Sequence, residues 1–238
     1  MSREPPASAD SEAAARVVRW GYDRIGPGYL AWRAADPATV RYLAHALQAL
    51  PAGGRALDLG CGPGRPVTEA LAGRGTAIGV DLSWAQLELC RSSVGSVRLI
   101  QGDMAEVRFR PRSFDLVTAF YSLNHLPRER LGPLLRRVAS WLRPGGAFVG
   151  SFGAADDPGA VEEGWLGQPM YFSGHDVPTT LRLLDRAGFV DVVNEVLTQD
   201  EDGRLVSFLW VVARAPDQPL EMGRPPERGF GGIDPSAG

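Results

Sequence analysis

Residues 56 to 68 read ALDLGCGPGRPVT and hold the densest chemical information in this 238-residue chain. Ala56, Leu57 and Leu59 make a short apolar strand that carries one acid, Asp58, and runs into Gly60, Gly62 and Gly64. A helical pattern begins near Arg65 and Pro66. Glycine at alternate positions lets a turn visit φ > 0 and leaves bare backbone facing a ligand. A strand, a bare turn and a helix N-terminus together form a nucleotide-binding corner. The spacing narrows the ligand. A dinucleotide turn reads G-x-G-x-x-G and aims its helix at a pyrophosphate; here the third glycine comes one residue early and Arg65 stands in its place. Asp58 would repel a diphosphate and suits a ligand that offers an ammonium group.

Further polar residues fall at the ends of apolar runs. Thr76 to Val80 ends at Asp81, 21 residues after Gly60, where a carboxylate on the neighbouring strand tip accepts both hydroxyls of a ribose. The competing role for Asp81 is to cap, with Ser83, the helical run Trp84 to Cys90. Val97 to Gln101 is followed by Gly102-Asp103-Met104, and Ser113 to Phe120 opens into Tyr121-Ser122-Leu123-Asn124-His125-Leu126-Pro127. Arg128 to Leu142 reads as a helix, Pro144-Gly145-Gly146 as a tight turn and Ala147 to Phe152 as a strand.

The glycine turn resembles motif I of the class I S-adenosylmethionine-dependent methyltransferases, of the small-molecule type. The order F-D-L-V, N-H-L and L-R-P-G-G resembles the same family, collinearly over residues 20 to 152. The resemblance implies S-adenosylmethionine as cofactor, bound by Asp58, Gly60, Cys61, Gly62, Gly64, Asp81, Leu82, Gln86, Phe120, Tyr121 and His125. It also implies that Asp103 bonds the adenine amino group, with the Met104 backbone reading the ring. The family's Y-D-x-x-x-x-x-Y segment closes over the cofactor, which makes Tyr22, Tyr29 and Arg33 contacts to its carboxylate. Otherwise that helix only docks its aromatic residues on the core.

Methyl transfer is an in-line displacement that needs positioning and water exclusion, and a base where the nucleophile is a hydroxyl or protonated amine. His125 and His175 are the candidate bases; either also fits a structural role. No metal-ligand cluster is present, and none is expected. Residues 153–175, rich in glycine and acids and then in Trp165, Met170, Tyr171 and Phe172, break the strand–helix rhythm. They are expected to form a substrate wall over the cleft, against the alternative of a connector packing its own aromatics. Asp156, Asp157, Glu162 and Glu163 point either to a cationic or guanidinium substrate or to a solvated face.

These residues need a scaffold. Alternating strands and helices predict a Rossmann-like, doubly wound α/β sheet of seven strands, mostly parallel with an antiparallel last strand, and helices on both faces. Ligands of such sheets lie beyond the carboxyl ends of the strands. The expected organisation is a disordered 1–11, one domain over 12–214 with a helical lid at 12–50, and a disordered tail at 215–238. Val40, Leu43, Leu47 and Leu50 make one stripe of an amphipathic helix that carries a structural His45. Asp176 caps a helix ending at Gly188, and Phe189 to Leu197 and Leu205 to Arg214 are strands joined by a turn from Gln199 to Gly203.

A net charge of −3 offers no field for nucleic acid or an anionic membrane, so the expected partner is a small molecule, acting on a monomer or homodimer. All 25 basic residues are Arg. Two cysteines and the absence of an 18-residue apolar run point to a cytoplasmic chain. A nicotinamide oxidoreductase is disfavoured by the glycine spacing and Asp58. A protein that binds S-adenosylmethionine without transferring methyl, such as a cyclase, would carry the same motifs.

Overall fold

The computed structural model describes residues 9–25, 36–95, 97–201 and 203–217. In chain order the elements are α1 (Ala9–Ile25), α2 (Pro37–Ala49), β1 (Arg55–Leu59), α3 (Val67–Arg74), β2 (Thr76–Asp81), α4 (Trp84–Val94), β3 (Arg98–Gln101) and β4 (Phe114–Ala119). A 3₁₀ turn at Leu123–His125 leads to α5 (Arg128–Trp141), β5 (Leu142–Gly153), β6 (Asp157–Trp165), β7 (Gln168–Gly174), α6 (Val177–Arg186), β8 (Val190–Glu201) and β9 (Arg204–Arg214).

Seven strands form one sheet in the order β3-β2-β1-β4-β5-β9-β8. β1 to β5 run parallel, and β9 lies antiparallel to both β5 and β8. Central parallel strands are covered on both faces, so they are apolar nearly throughout. The alternation of side chains splits them between two cores. Leu57 and Leu59 enter one with Leu134, Val138 and Trp141 of α5. Ala56 faces the other, with Tyr42 and Leu43 of α2, Leu71 of α3 and Trp210 of β9. Asp58 shares that second face and is buried.

Several local expectations change. Of the expected stripe Leu43 and Leu50 are buried and Leu47 packs on the core, but Val40 is 62% exposed. α2 buries Ala38, Thr39, Tyr42 and Ala46 as well, with Asp36 capping it through the Ala38 and Thr39 N–H groups. His45 is exposed on this helix. Pro144 to Gly146 lie within β5, where the Gly145 N–H donates to the Ala215 carbonyl and the Ala215 N–H to the Gly146 carbonyl. Ala215, expected in a loose tail, is therefore pinned and buried. Residues 9–11, expected to be disordered, begin α1, with Asp10 and Glu12 in the first turn where the helix dipole favours acids. The remaining residues of both expected disordered ends, 1–8 and 218–238, lie outside the described residues.

The segment 153–175 is not an irregular connector. It folds into the antiparallel pair β6–β7, closed at Leu166 (φ 47°) and Gly167 (φ 79°). Two successive positive φ values are the geometry of a two-residue hairpin turn, here with leucine in a position that favours Asn or Gly. β8 and β9 likewise run on to Glu201 and Arg204, closing more tightly than the expected turn. β9 pairs with β5 only as far as Phe208, so residues 204–207 overhang the carboxyl end of the sheet.

Candidate functional site

Gly60 sits at φ 72°, and a Cβ there would collide with Ser122 and come within 3.3 Å of Met104 Cε. Gly64, at φ 81°, has no room beside Cys90 and Val94. The turn thus needs glycine twice, once for direction and once for close approach. Asp58 lies directly beneath it, 3% exposed, accepting from Thr68 Oγ1 at 2.6 Å and Thr118 Oγ1 at 2.8 Å. Burial raises its carboxyl to about 6, against the lowering effect of the two hydroxyls. Asp58 borders a pocket with Gly60, Cys61 and Gly62. Cys61 is buried against Gly79, and its contact to Cys90, with burial second, pushes its thiol up.

Asp81 bridges two turns: Oδ2 accepts from the Gly62 N–H at 2.8 Å and Oδ1 from the Ser83 N–H at 2.9 Å. The helix cap belongs to Ser83, whose hydroxyl accepts from the Gln86 N–H. Burial raises the Asp81 carboxyl to about 6; the two backbone N–H groups lower it and the charges of Asp58 and Asp23 raise it. Asp103 uses one oxygen to accept from the Ala105 N–H at 2.7 Å, and its carboxyl is also raised by burial.

One cavity gathers Tyr22, Gly60, Gly62, Asp81, Leu82, Asp103, Met104, Phe120, Tyr121 and His125 from α1 and the tips of β1 to β4. Val18, Val80, Gly102, Ser122 and Leu126, to which no site role was given from the sequence, also line it. Gly64 and Gln86 lie elsewhere. Gly64 packs on α4, and Gln86 is buried with its Nε2 donating to the Tyr22 carbonyl, which ties α4 to α1. Tyr29 and Arg33 lie outside the described residues.

A second cavity of about 520 Å³ adjoins the first and shares Tyr22, Tyr121 and His125 with it. Trp165 and Phe172 line it as expected; Met170 and Tyr171 do not. Met170 is fully buried, wedged beside Gly21 of α1, and Tyr171 points to the other face of β7, against Gly159. The overhang of β8 and β9 supplies a wall that the sequence reading missed: Glu201, Arg204, Leu205, Val206, Ser207 and Phe208. Its only sequence signal is strand length, since these residues match no motif.

The two histidines differ. His125 is buried, with Nδ1 2.9 Å from the Tyr171 carbonyl and Nε2 2.9 Å from the Tyr22 hydroxyl. A carbonyl only accepts, so Nδ1 carries the proton and Nε2 of the neutral ring is the basic atom. His175 borders neither cavity. Its Nδ1 accepts from the Arg128 guanidinium at 3.1 Å and its Nε2 faces the Arg128 carbonyl at 3.3 Å, so it is a positioning contact for the start of α5 and not a base. Arg128 also pairs with Asp156. Tyr121, two residues past β4, sits at φ 53°, an uncommon conformation for an aromatic residue, and its hydroxyl donates to Asp36 at 2.5 Å. Among the described residues no His, Cys, Asp and Glu cluster fits a metal.

An acid at the tip of β2, a glycine turn after β1 and a reversed β9 in this strand order make a Rossmann-like architecture. Residues 56–146 match the family described as "Methyltransferase domain". A demethylmenaquinone methyltransferase of Staphylococcus aureus (strain MRSA252) is 33% identical over 103 residues, 41% of this chain and 42% of that protein. The match therefore spans under half the length of the curated relatives. A 1,6-didemethyltoxoflavin-N1-methyltransferase of Burkholderia thailandensis, solved with 1,6-didemethyltoxoflavin and S-adenosylhomocysteine, superposes with TM-score 0.64 at 24% identity, over 90% of this chain and 93% of that one. An S-adenosylmethionine-dependent methyltransferase of Mesorhizobium loti gives 0.56 at 23%, over 74% and 97%. Over residues 56–146 the chain is thus similar to the methyltransferase domain family, and over most of its length it shares the fold of solved methyltransferases.

Proposed function

We propose that the protein is an S-adenosylmethionine-dependent methyltransferase acting on an O, N or C atom of a small molecule. The observation that carries this reading is the shared wall of Tyr22, Tyr121 and His125 between the two cavities. These three side chains stand beside the contents of both cavities. The residues fit the cofactor. Asp81 suits a ribose diol, Asp103 an exocyclic amine, and Met104 and Phe120 supply apolar surface. The bare Gly60 backbone is a cradle that any side chain would fill. Asp58, beside the glycine turn, suits an ammonium group.

When bound, S-adenosylmethionine supplies a methyl group already activated on a sulfonium. The chain's own work is to hold an acceptor atom near it, exclude water and take a proton. Tyr22 Oη and His125 Nε2 are hydrogen-bonded at the shared wall, so a proton leaving the acceptor passes to Nε2, directly or through the Tyr22 hydroxyl. The Tyr171 carbonyl holds the tautomer that makes this possible. Two free cysteines accord with a reducing cytoplasm.

Calorimetry with S-adenosylmethionine, S-adenosylhomocysteine and NAD as control tests the reading. The first two bind, and Asp81→Ala weakens them about 10- to 100-fold, the loss of one charged hydrogen-bonding group. Binding of NAD alone overturns it. Binding without transfer of labelled methyl into any metabolite of a broad panel leaves a cofactor-binding protein that is not a methyltransferase.

A further inference from the structure

The larger cavity has a polarity that bears on its substrate. Its floor is buried and aromatic: Tyr121, Phe208 and His125. Above that, Tyr22, Trp165 and Phe172 meet edge to face, with Tyr22 and Trp165 centroids 5.8 Å apart and Trp165 and Phe172 5.5 Å apart. Perpendicular rings around a void present both edges and electron-rich faces to its contents. The same lining includes four carboxylates, Asp157, Glu162, Glu163 and Glu201, of which Glu163 is exposed. The one cation in the described lining is Arg204, which pairs with Glu162.

An anionic acceptor entering here would find more carboxylates than cations and would have to break the Arg204–Glu162 pair to be neutralised. A positively charged organic group would gain from both the carboxylate field and the ring faces. Building on the methyltransferase reading, we infer that the acceptor is a cationic amine, amidine or guanidine compound with an apolar body and no acidic group. Its charge is held by Glu163 and Glu201, and its body lies among Trp165, Phe172 and Phe208. The atom to be methylated is a different, uncharged one at the inner end, by Tyr22 and His125, since a protonated nitrogen has no lone pair to attack with.

Two matched series separate charge from shape: tryptamine, tryptophol and indole-3-acetate, and phenethylamine, 2-phenylethanol and phenylacetate. Each is titrated by ligand-observed NMR with and without saturating S-adenosylhomocysteine, in wild type and in Glu163→Gln/Glu201→Gln. The expected result is that each amine binds at least about tenfold tighter than its alcohol, with the acid weakest. That margin shrinks several-fold in the double variant and at high salt. Equal or tighter binding of the alcohols or acids, failure of both amines to bind, or an amine margin untouched by the double variant overturns the inference. The S-adenosylhomocysteine titration stands apart. Its failure removes the cofactor reading, while the charge ranking measured without it still decides the inference.

Discussion

At the residue scale the active corner stores charge where water is scarce. Asp58 is the clearest case, since burial holds its carboxyl near 6 against 3.8 for the ordinary group. Between about pH 4 and 6 the folded chain keeps a proton that the unfolded chain has released. The contribution of Asp58 to stability therefore falls as pH rises through that window and is flat above it, by up to about 3 kcal/mol. Asp58→Asn should match wild type near pH 4 and gain on it up to pH 7, read as the difference between urea melts at several pH values. A variant that gains nothing between these limits sinks this account of Asp58. Tyr22 and His125 make a second, kinetic prediction. Tyr22→Phe removes the 2.9 Å bond to Nε2, and His125→Asn removes the proposed base. Both should lower kcat by about 10²-fold or more, and His125→Asn should also flatten the acid limb of the kcat–pH profile. Asp81, Asp103 and His125 were legible in the sequence because each follows a strand end, where backbone topology sets the location. Gln86, Met170, Tyr171 and His175 were not, because spacing does not say which way a side chain turns.

At the scale of elements, α1 crosses β7 at Gly21. An added Cβ there would lie 2.7 Å from Met170 Cε and 2.9 Å from the Pro169 carbonyl. Alanine is favoured over glycine in a helix by about 1 kcal/mol, yet a backbone oxygen at this distance must move. Gly21→Ala should lift α1 from β7 and carry Tyr22 away from His125. We expect a several-fold loss of cofactor affinity with a change in melting temperature of only a few degrees, by calorimetry and thermal melts. A stabilised variant with full affinity would show that the crossing is looser than drawn. The glycine made no sequence signal, since the constraint comes from a strand about 150 residues later. The β6–β7 hairpin was likewise read as a loop, though one expected to wall the cleft. Its acids and glycines look like a loop one by one, and only pairing across the turn makes them a sheet.

For the whole molecule, α1 buries Ala14 and Val18, but among the described residues neither of the two large apolar clusters includes it. The helix is held by β7, by α4 through Gln86, by Ser83 and Asp23, and by Ser11 with Glu129. It covers the cofactor cavity with Val18 and Tyr22. A chain starting at residue 36 should keep the seven-stranded sheet, seen by circular dichroism and a cooperative melt, and lose cofactor affinity by about 10²-fold or more. Loss of cooperative folding would make α1 part of the scaffold instead of its cover.

The sequence by itself determined the strand–helix alternation, the glycine turn and the acids at the tips of β2 and β3, all features of local backbone geometry and period. Only the tertiary structure decided what stands around the acceptor. The His125 tautomer is fixed by a carbonyl 46 residues away, and the far wall comes from an overhang of β8 and β9. Trp165 and Phe172 reach the cavity while Tyr171 does not. Register and packing make those choices, and a one-residue shift in either would reverse them.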